Sequence, residues 1–504
     1  MDLEGTKPTL HERKSPLEME ADEFRSIGHK LVDQIADFLD SLPNRKVAPG
    51  ETPAEVRYLL GSNPLPQIGI PAGDIVQEAT DLLFNHSLFN GHPRFLAYIT
   101  SSAAPIGAFA DMLASAVNPN VGAWSISPIA TELEAETVRW IAELLGYPTN
   151  CGGILGSGGN VANFIGFLVA RKAKSNWDVR TAGMSDHNNG QLRVYCSAET
   201  HTWIEKATDQ YGLGTDAIRW IPMTDQLKMD MEILEKTIEQ DKANGNMPFL
   251  VVGTAGSTAL GSIDDLPRIA EICREHNLWF HVDAAYGGFA AALPDAPPEL
   301  LGLREADSVA IDPHKWLYTP LEAGCTLVRN QQAMADTFSY HPSYYKFDDT
   351  SEGLPLNYYE IGPQNSRGFR ALKVWMALRQ AGKNGYQRMI AEDIHLAKTL
   401  YQLVDEAPDL EAHTHSLSIT TFRYVPLDLN LSNDEREAYL NRLNTELLTD
   451  LQDSGEAYIS NAVLGDKYLL RSCIVNFRTS MKDIEALPEI ITRIGTVVDK
   501  RLRS

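Results

Sequence analysis

Long apolar runs are missing from this sequence. No uninterrupted stretch is long enough to span a bilayer, which excludes a membrane-crossing helix. Cysteine is scarce. Cys151, Cys196, Cys273, Cys325 and Cys473 are scattered with no CxxC pair, so neither a disulfide framework nor a zinc site is expected. Such a sparse, odd set suits reduced thiols in a cytosolic compartment. Basic residues fall short of acidic ones, 44 against 67, for a formal net charge of −23. That balance argues against nucleic acid or an anionic membrane surface as the main partner. It suits a soluble protein whose cations are concentrated in one pocket. Met1 to Glu23 is charged and has no apolar core of a signal peptide, so a cytoplasmic location is the expectation. Internal repeats, low-complexity tracts, a Walker loop and a strict GxGxxG are all lacking.

What is present is enough chain, 504 residues, to bury a large core and divide into more than one domain. Phe24, Ile27, Leu31, Ile35, Phe38 and Leu42 recur at three- and four-residue steps and predict one helical stripe. Pro43, Pro49 and Pro53 follow, with a short helix over 53–60. This stripe lies far from any strand pattern and must be buried either on a partner subunit or on the chain's own large domain. Helices are predicted over 103–116 and from Ser127-Pro128, where serine can cap and proline suits the first turn. From residue 192 onward strand and helix patterns alternate. Strands are expected at 192–197, 217–221, 249–253, 278–283, 308–311 and 325–328, with helices at 229–242 and 266–276. Such alternation implies a mainly parallel sheet covered by helices. Residues 337–367 carry five tyrosines and no period, the mark of a functional lid or a disordered insert. Helices return at 369–381 and 386–404. The last part mixes strands (416–424, 469–477) with helices (433–453, 482–500), an α+β unit with antiparallel pairing. The expected division is an N-terminal helical dimerisation segment (1–88), a large α/β domain (89–384) and a small α+β domain (385–504).

Four chemical groups fall where a parallel sheet presents its carboxyl edge, the usual ligand crevice of such folds. Lys315, in Asp312-Pro313-His314-Lys315-Trp316, follows a short buried strand, where an amine loses part of its proton affinity as a Schiff-base lysine requires. Asp283 ends the strand of Trp279-Phe280-His281-Val282-Asp283, and His201 follows the strand at 192–197. The glycine-rich turn in Cys151-Gly152-Gly153-Ile154-Leu155-Gly156-Ser157-Gly158-Gly159 opens directly into an apolar helix, whose free N–H groups suit a phosphate. Each has a bland alternative: a lysine reaching water, an acid capping a turn, a structural histidine, a common glycine turn. Together they match pyridoxal 5′-phosphate. That cofactor needs an amine for its aldehyde, a carboxylate for its pyridine nitrogen, a flat group against its ring and donors for its phosphate.

Three stretches carry a family likeness: Ser127-Pro128-Ile129-Ala130-Thr131-Glu132-Leu133-Glu134, His281-Val282-Asp283-Ala284-Ala285-Tyr286-Gly287-Gly288, and Asp312-Pro313-His314-Lys315-Trp316-Leu317. From about Leu17 to Arg478 the chain resembles the group II PLP-dependent amino-acid decarboxylases, and within them the aromatic-L-amino-acid decarboxylases. The resemblance implies the PLP-dependent transferase fold type I, a homodimer with shared active sites, and decarboxylation of an L-amino acid. Carried over residue by residue, Lys315 resembles the Schiff-base lysine, Asp283 the partner of the pyridinium nitrogen and His201 the ring-stacking histidine. Thr258 resembles the threonine near that aspartate, and Ser157, Gly158, Gly159 and His314 the phosphate neighbourhood. Tyr98 and Val121-Gly122-Ala123-Trp124 resemble the substrate-pocket wall. Tyr344 resembles the mobile-loop tyrosine contributed by the partner subunit, which returns a proton after CO2 leaves; related aldehyde synthases carry phenylalanine there.

The chain also departs from the aromatic pattern. Asp312 stands where many members have asparagine, and an ionised carboxylate cannot donate to a phosphate; it is either turned away or accepts from a neighbour. Gly122 stands where the aromatic branch often has phenylalanine, and Ile99-Thr100 where Phe-Pro is usual. These changes alter the pocket wall, which then suits an indole as well as a phenol or catechol. The resemblance implies an aromatic acid (tryptophan, dopa, tyrosine or phenylalanine), with aldehyde formation or decarboxylation of an acidic amino acid as alternatives. A non-catalytic metabolite-binding protein that uses the glycine turn alone is the reading from outside the enzymes.

Overall fold

The computed structural model describes residues 15–184, 190–340 and 356–504. The N-terminal part forms helices α1 (Ala21–Ser41), α2 (Pro53–Leu60) and α3 (Ala72–His86), followed by α4 (Pro105–Val117) and α5 (Pro128–Leu144). The predicted stripe of α1 exists, yet it buries no residue completely. Phe38 stacks on Phe84 of α3 with ring centroids 4.3 Å apart, whereas Phe24 and Val32 stay exposed. Helix α3 escaped the sequence reading.

Among the described residues, seven strands form the large sheet, in the order β1-β7-β6-β5-β4-β2-β3. They are β1 (Gly152–Gly156), β2 (Leu192–Ser197), β3 (Ile218–Ile221), β4 (Met247–Thr254), β5 (Trp279–Asp283), β6 (Ser308–Ile311) and β7 (Gly324–Val328). Pairings among β2 to β6 are parallel. Strand β7 runs antiparallel to both β1 and β6. Phe249, Leu250, Val251 and Val252 are all fully buried, because helices cover both faces of the sheet. On one face lie α6 (Gly159–Lys174) and α8 (Trp203–Gln210), and on the other α9 (Met231–Ala243) and α10 (Leu266–His276). Between α6 and α8 comes the single turn α7 (Val179–Ala182). Helix α10 shows why the sequence folds so locally. Asp265 accepts from the Arg268 N–H as N-cap, Pro267 sits in the first turn, and Asn277 closes the end at φ 56°. Its apolar side chains Leu266, Ile269, Ile272 and Cys273 fall on the sheet-facing side.

Beyond α11 (Gln331–Phe338) comes α12 (Ala371–Glu406), which breaks at Gly382 (φ 64°, ψ 170°) into the two helices expected from the sequence. A second, antiparallel sheet in the order β10-β11-β9-β8 follows. It contains β8 (Leu410–Ser416), β9 (Ile419–Tyr424), β10 (Ser460–Leu464) and β11 (Lys467–Cys473), and is covered by α13 (Asn433–Ser454), α14 (Met481–Arg503) and the second half of α12.

Three expectations need correction. The glycine-rich stretch is a turn only at Ser157-Gly158; Gly152–Gly156 is an edge strand. Glycine gives no strand signal, but here α5 and α11 press against the strand, and a Cβ on Gly153 would lie 2.5 Å from Val138 Cγ1. The residues expected as a single strand over 416–424 form the turn, at Leu417 with φ 50°, and the second arm of the β8–β9 hairpin. The strand at 325–328 belongs to the sheet but runs against its neighbours.

Candidate active site

Strands β4, β5 and β6 end on one edge of the sheet, with Thr254 opposite Asp283 and Asp283 opposite Ala310. The loops leaving β2, β4, β5 and β6 carry His201, Thr258, Asp283 and Lys315, and all four side chains line one cavity of about 320 Å³. Gly159, Asn160 and Asn163 of the α6 start, and Tyr98 and Ile99, also lie in its wall.

Lys315 lies in a tight turn. Its N–H donates to the Asp312 carbonyl (2.9 Å), and its own carbonyl accepts from Tyr318 N–H (3.1 Å). Its ammonium does not escape to water: the side chain is 19% exposed, and Nζ pairs with Asp312 Oδ2 at 3.1 Å. Asp312 therefore accepts from a neighbour, the second of the two readings left open for it. Its other oxygen, Oδ1, is buried with no partner among the described residues.

Asp283 is 7% exposed. Its Oδ2 accepts from the indole Nε1 of Trp203 at 2.8 Å, and its Oδ1 from the Ala285 N–H at 3.2 Å. Trp203 is fully buried and sits edge-on to His281. Sequence reasoning passed over Trp203, because nothing in a helix's first turn announces a bond to an acid eighty residues later. His281, inside a buried strand, gives no functional signal in the sequence either. It is enclosed between Ser308 Oγ (2.8 Å) and Asn163 Oδ1 (2.7 Å), and burial pushes its pKa down to about 4. It is thus a neutral spacer behind Asp283.

His201 stands at the cavity mouth. Loss of water around its ring lowers its pKa; Asp283 acts in the opposite direction and Lys315 reinforces the lowering. A neutral imidazole able to take up or release a proton results. Glu199, two residues earlier, also lines the cavity, and burial raises its pKa. This acid was also missed.

At the glycine turn, Gly158 adopts φ 133°. A Cβ on Gly159 would lie 2.7 Å from Asp312 Oδ2. The opening of α6 therefore admits only a bare backbone. His314 Nδ1 accepts from Ala323 N–H (3.1 Å), which leaves its proton on Nε2, 3.6 Å from Asp312 Oδ2. Burial holds its pKa low. His314 and Ser157 lie beside the glycine turn without lining the cavity itself.

Tyr98 adopts a left-handed φ of 53°. Its carbonyl accepts from Nη1 of the buried Arg471, whose Nε binds the Ala259 carbonyl. One guanidinium from the small sheet thus ties the Tyr98 wall to the loop of Thr258. The stretch Val121-Gly122-Ala123-Trp124 lies apart from the cavity within a single chain. Its backbone is zipped to residues 357–367 through Val121 N–H to the Arg367 carbonyl (2.9 Å) and Tyr359 N–H to the Gly122 carbonyl (3.1 Å). The Asn365 carbonyl fills the place of any Cβ on Gly122. Tyr344 lies outside the described residues.

A family model described as the pyridoxal-dependent decarboxylase conserved domain matches residues 53–425. An aromatic-L-amino-acid decarboxylase of Bacillus atrophaeus is 32% identical over 469 residues, covering 93% of this chain and 94% of its own. A phenylacetaldehyde synthase of a Rosa hybrid cultivar is 30% identical over 476 residues, 92% of each chain. Among solved structures, Oryza sativa TDC with PLP and tryptamine matches with a TM-score of 0.88 at 28% identity, over 96% of this chain and 99% of that one.

Proposed function

The chain belongs to the pyridoxal-dependent decarboxylase family, and from that premise we propose that it removes the carboxyl group of an aromatic L-amino acid, releasing the amine and CO2. Its architecture is that of the fold-type-I PLP enzymes. Membership carries PLP-dependent decarboxylation of an amino acid; the aromatic preference and the residue roles are the reading proposed here. The observation that supports it most is the convergence of Lys315, Asp283 and His201 on one cavity beside the bare start of α6.

These groups fit the cofactor. An amine, a carboxylate and an imidazole share the cavity, and the glycines of α6 leave the approach to its N–H groups free of side chains. When bound, pyridoxal phosphate supplies an electron sink for the bond broken at Cα. Lys315 would hold it covalently through its ε-amine. Asp283, oriented by two N–H donors, would face the ring nitrogen. The first N–H groups of α6, with His314 and Ser157 nearby, would bind the phosphate. Tyr98, held by Arg471, would form the wall beside the departing carboxylate. His201 or Tyr344 would return the proton to Cα while water is kept out. The exposed apolar side chains of α1 to α4 support a homodimer, in which residues 121–124 and Tyr344 would serve the partner's cavity. A cytoplasmic location goes with the reduced thiols.

An amine-release assay over tryptophan, dopa, tyrosine and phenylalanine, with CO2, aldehyde and peroxide also measured, tests the proposal. Dominant aldehyde and peroxide would favour an aldehyde synthase. Turnover of only acidic substrates would end the aromatic reading. Lys315→Ala should abolish the cofactor's absorption band; a wild type with no such band would leave only a metabolite-binding protein.

A further inference from the structure

Three consecutive residues after Lys315 are tied to one stretch of α12. Trp316 Nε1 donates to Asp393 Oδ2 at 2.9 Å, Tyr386 donates to the Leu317 carbonyl at 3.1 Å, and Tyr318 donates to Asp393 Oδ2 at 2.7 Å. All of these side chains are buried, and Asp393 is 2% exposed. The stretch lies beyond the break at Gly382, in the half of α12 that packs on the small sheet. The Lys315 turn has little slack of its own. Tyr318 is held at φ 52°, a conformation that a bulky residue keeps only when its surroundings impose it. Trp316 also stacks on Tyr286, ring centroids 5.0 Å apart, and the Tyr286 hydroxyl bonds Ser418 in the β8–β9 turn. Tyr286 itself lies three residues beyond Asp283.

We propose that Asp393 is the positioning residue of Lys315, and that gain or loss of its proton changes how firmly the Lys315 turn is held. Both side-chain donors converge on Oδ2, and the Asn476 backbone N–H donates to the carboxyl as well. Ionised, Asp393 accepts these as charge-assisted bonds; neutral, it accepts ordinary ones. Burial pushes the carboxyl up to about 7, with Tyr318, Trp316 and the Asn476 backbone pulling it down and Glu392 pushing it further up. The other titratable groups facing it are Tyr318, Tyr386 and Cys473. Burial raises all three, so they keep their protons across the neutral range. The turn is thus held more tightly above neutrality than below it.

One readout rests on the decarboxylase reading: the rate at which the holoenzyme loses pyridoxal phosphate, followed by its absorption band on dilution between pH 5.5 and 8.5. In the wild type this rate should fall about fivefold as pH rises. Asp393→Asn should make the profile flat. Tyr318→Phe removes one donor that favours the ionised form, so it should move the transition to higher pH. If Asp393→Asn does not fold, Tyr318→Phe decides alone. The second readout needs no cofactor: the stability of the cofactor-free wild type relative to Asp393→Asn should fall as pH rises across the same range. A stability slope without a release slope would make Asp393 a scaffold acid only and overturn the proposal, as would an unmoved transition in Tyr318→Phe. A wild type that binds no pyridoxal phosphate would instead sink the functional reading. The positioning role would then be judged by the reactivity of Lys315 toward an amine-modifying reagent: reactivity that changes across the transition in wild type but not in Asp393→Asn supports it, and identical profiles overturn it.

Discussion

Two buried carboxylates in this molecule each accept an indole N–H. Trp203 serves Asp283 at 2.8 Å and Trp316 serves Asp393 at 2.9 Å. The pairs look alike locally and differ in what lies on the other side of the acid. Asp283 opens onto the cavity, with Lys315 and His201 on the same wall. Asp393 is sealed between the Lys315 turn and α12, and its second donor is a phenol. An acid open to a cavity is free to meet a ligand's charge. A sealed one has only its own donors, and its proton becomes part of the scaffold.

The largest effect expected from breaking this contrast is at the open acid. Asp283→Asn keeps an acceptor for Trp203 but removes the charge, and should lower amine formation on the order of a thousandfold with cofactor still bound. Steady-state kinetics and cofactor absorbance measured together check it. Activity within tenfold of wild type would show that the charge of Asp283 is not used. The sealed acid should speak through pH instead. Its pKa is near 7 in the fold and near the ordinary 3.8 unfolded. Between those values the native state holds a proton that the unfolded chain has released. Stability from this group is therefore full below about pH 4 and is lost as pH rises toward 7, by on the order of 4 kcal/mol. Denaturant titrations of wild type and Asp393→Asn across pH 4.5 to 8 should diverge by that slope, and parallel curves would refute it.

Smaller effects separate the two indoles. Trp203→Phe removes a donor from Asp283, the acid proposed to face the ring nitrogen, and should weaken cofactor affinity about tenfold. Trp316→Phe leaves Asp393 with Tyr318, so it should cost about 1 kcal/mol of unfolding stability and move cofactor affinity less than Trp203→Phe does. Equal losses of affinity in both variants would erase the distinction. Titration with pyridoxal phosphate and urea unfolding give both numbers.

Most of the large sheet could be read from the sequence, because buried parallel strands are nearly continuous apolar runs. Ser308–Ile311 and Leu192–Ser197 were located to the residue on that ground. Lys315, Asp283 and His201 could then be placed by counting past strand ends, Thr258 only by the family resemblance, and the cavity brings these four together. What escaped lacked a periodic or compositional signal. Gly152–Gly156 is a strand made by its neighbours, not by its residues. The hairpin turn at Leu417 uses a left-handed residue that is not glycine. The Trp203–Asp283 bond and the crowding of Gly122 by Asn365 are contacts between distant parts of the chain, fixed only once the fold exists. Asp312 stands out in the sequence against the family pattern, but its pairing with Lys315 depends on the shape of one turn.

The joint in α12 at Gly382 has a practical consequence for anyone recombining this chain with a relative. A chimaera spliced at that glycine would look modular, since one half of the helix packs against α4 and α5 and the other against the small sheet. It would nevertheless separate Lys315 from the phenol and the acid that grip the next three residues. Donor and acceptor halves would have to be matched at Trp316, Tyr318, Tyr386 and Asp393, or the graft would fold around a lysine left unanchored.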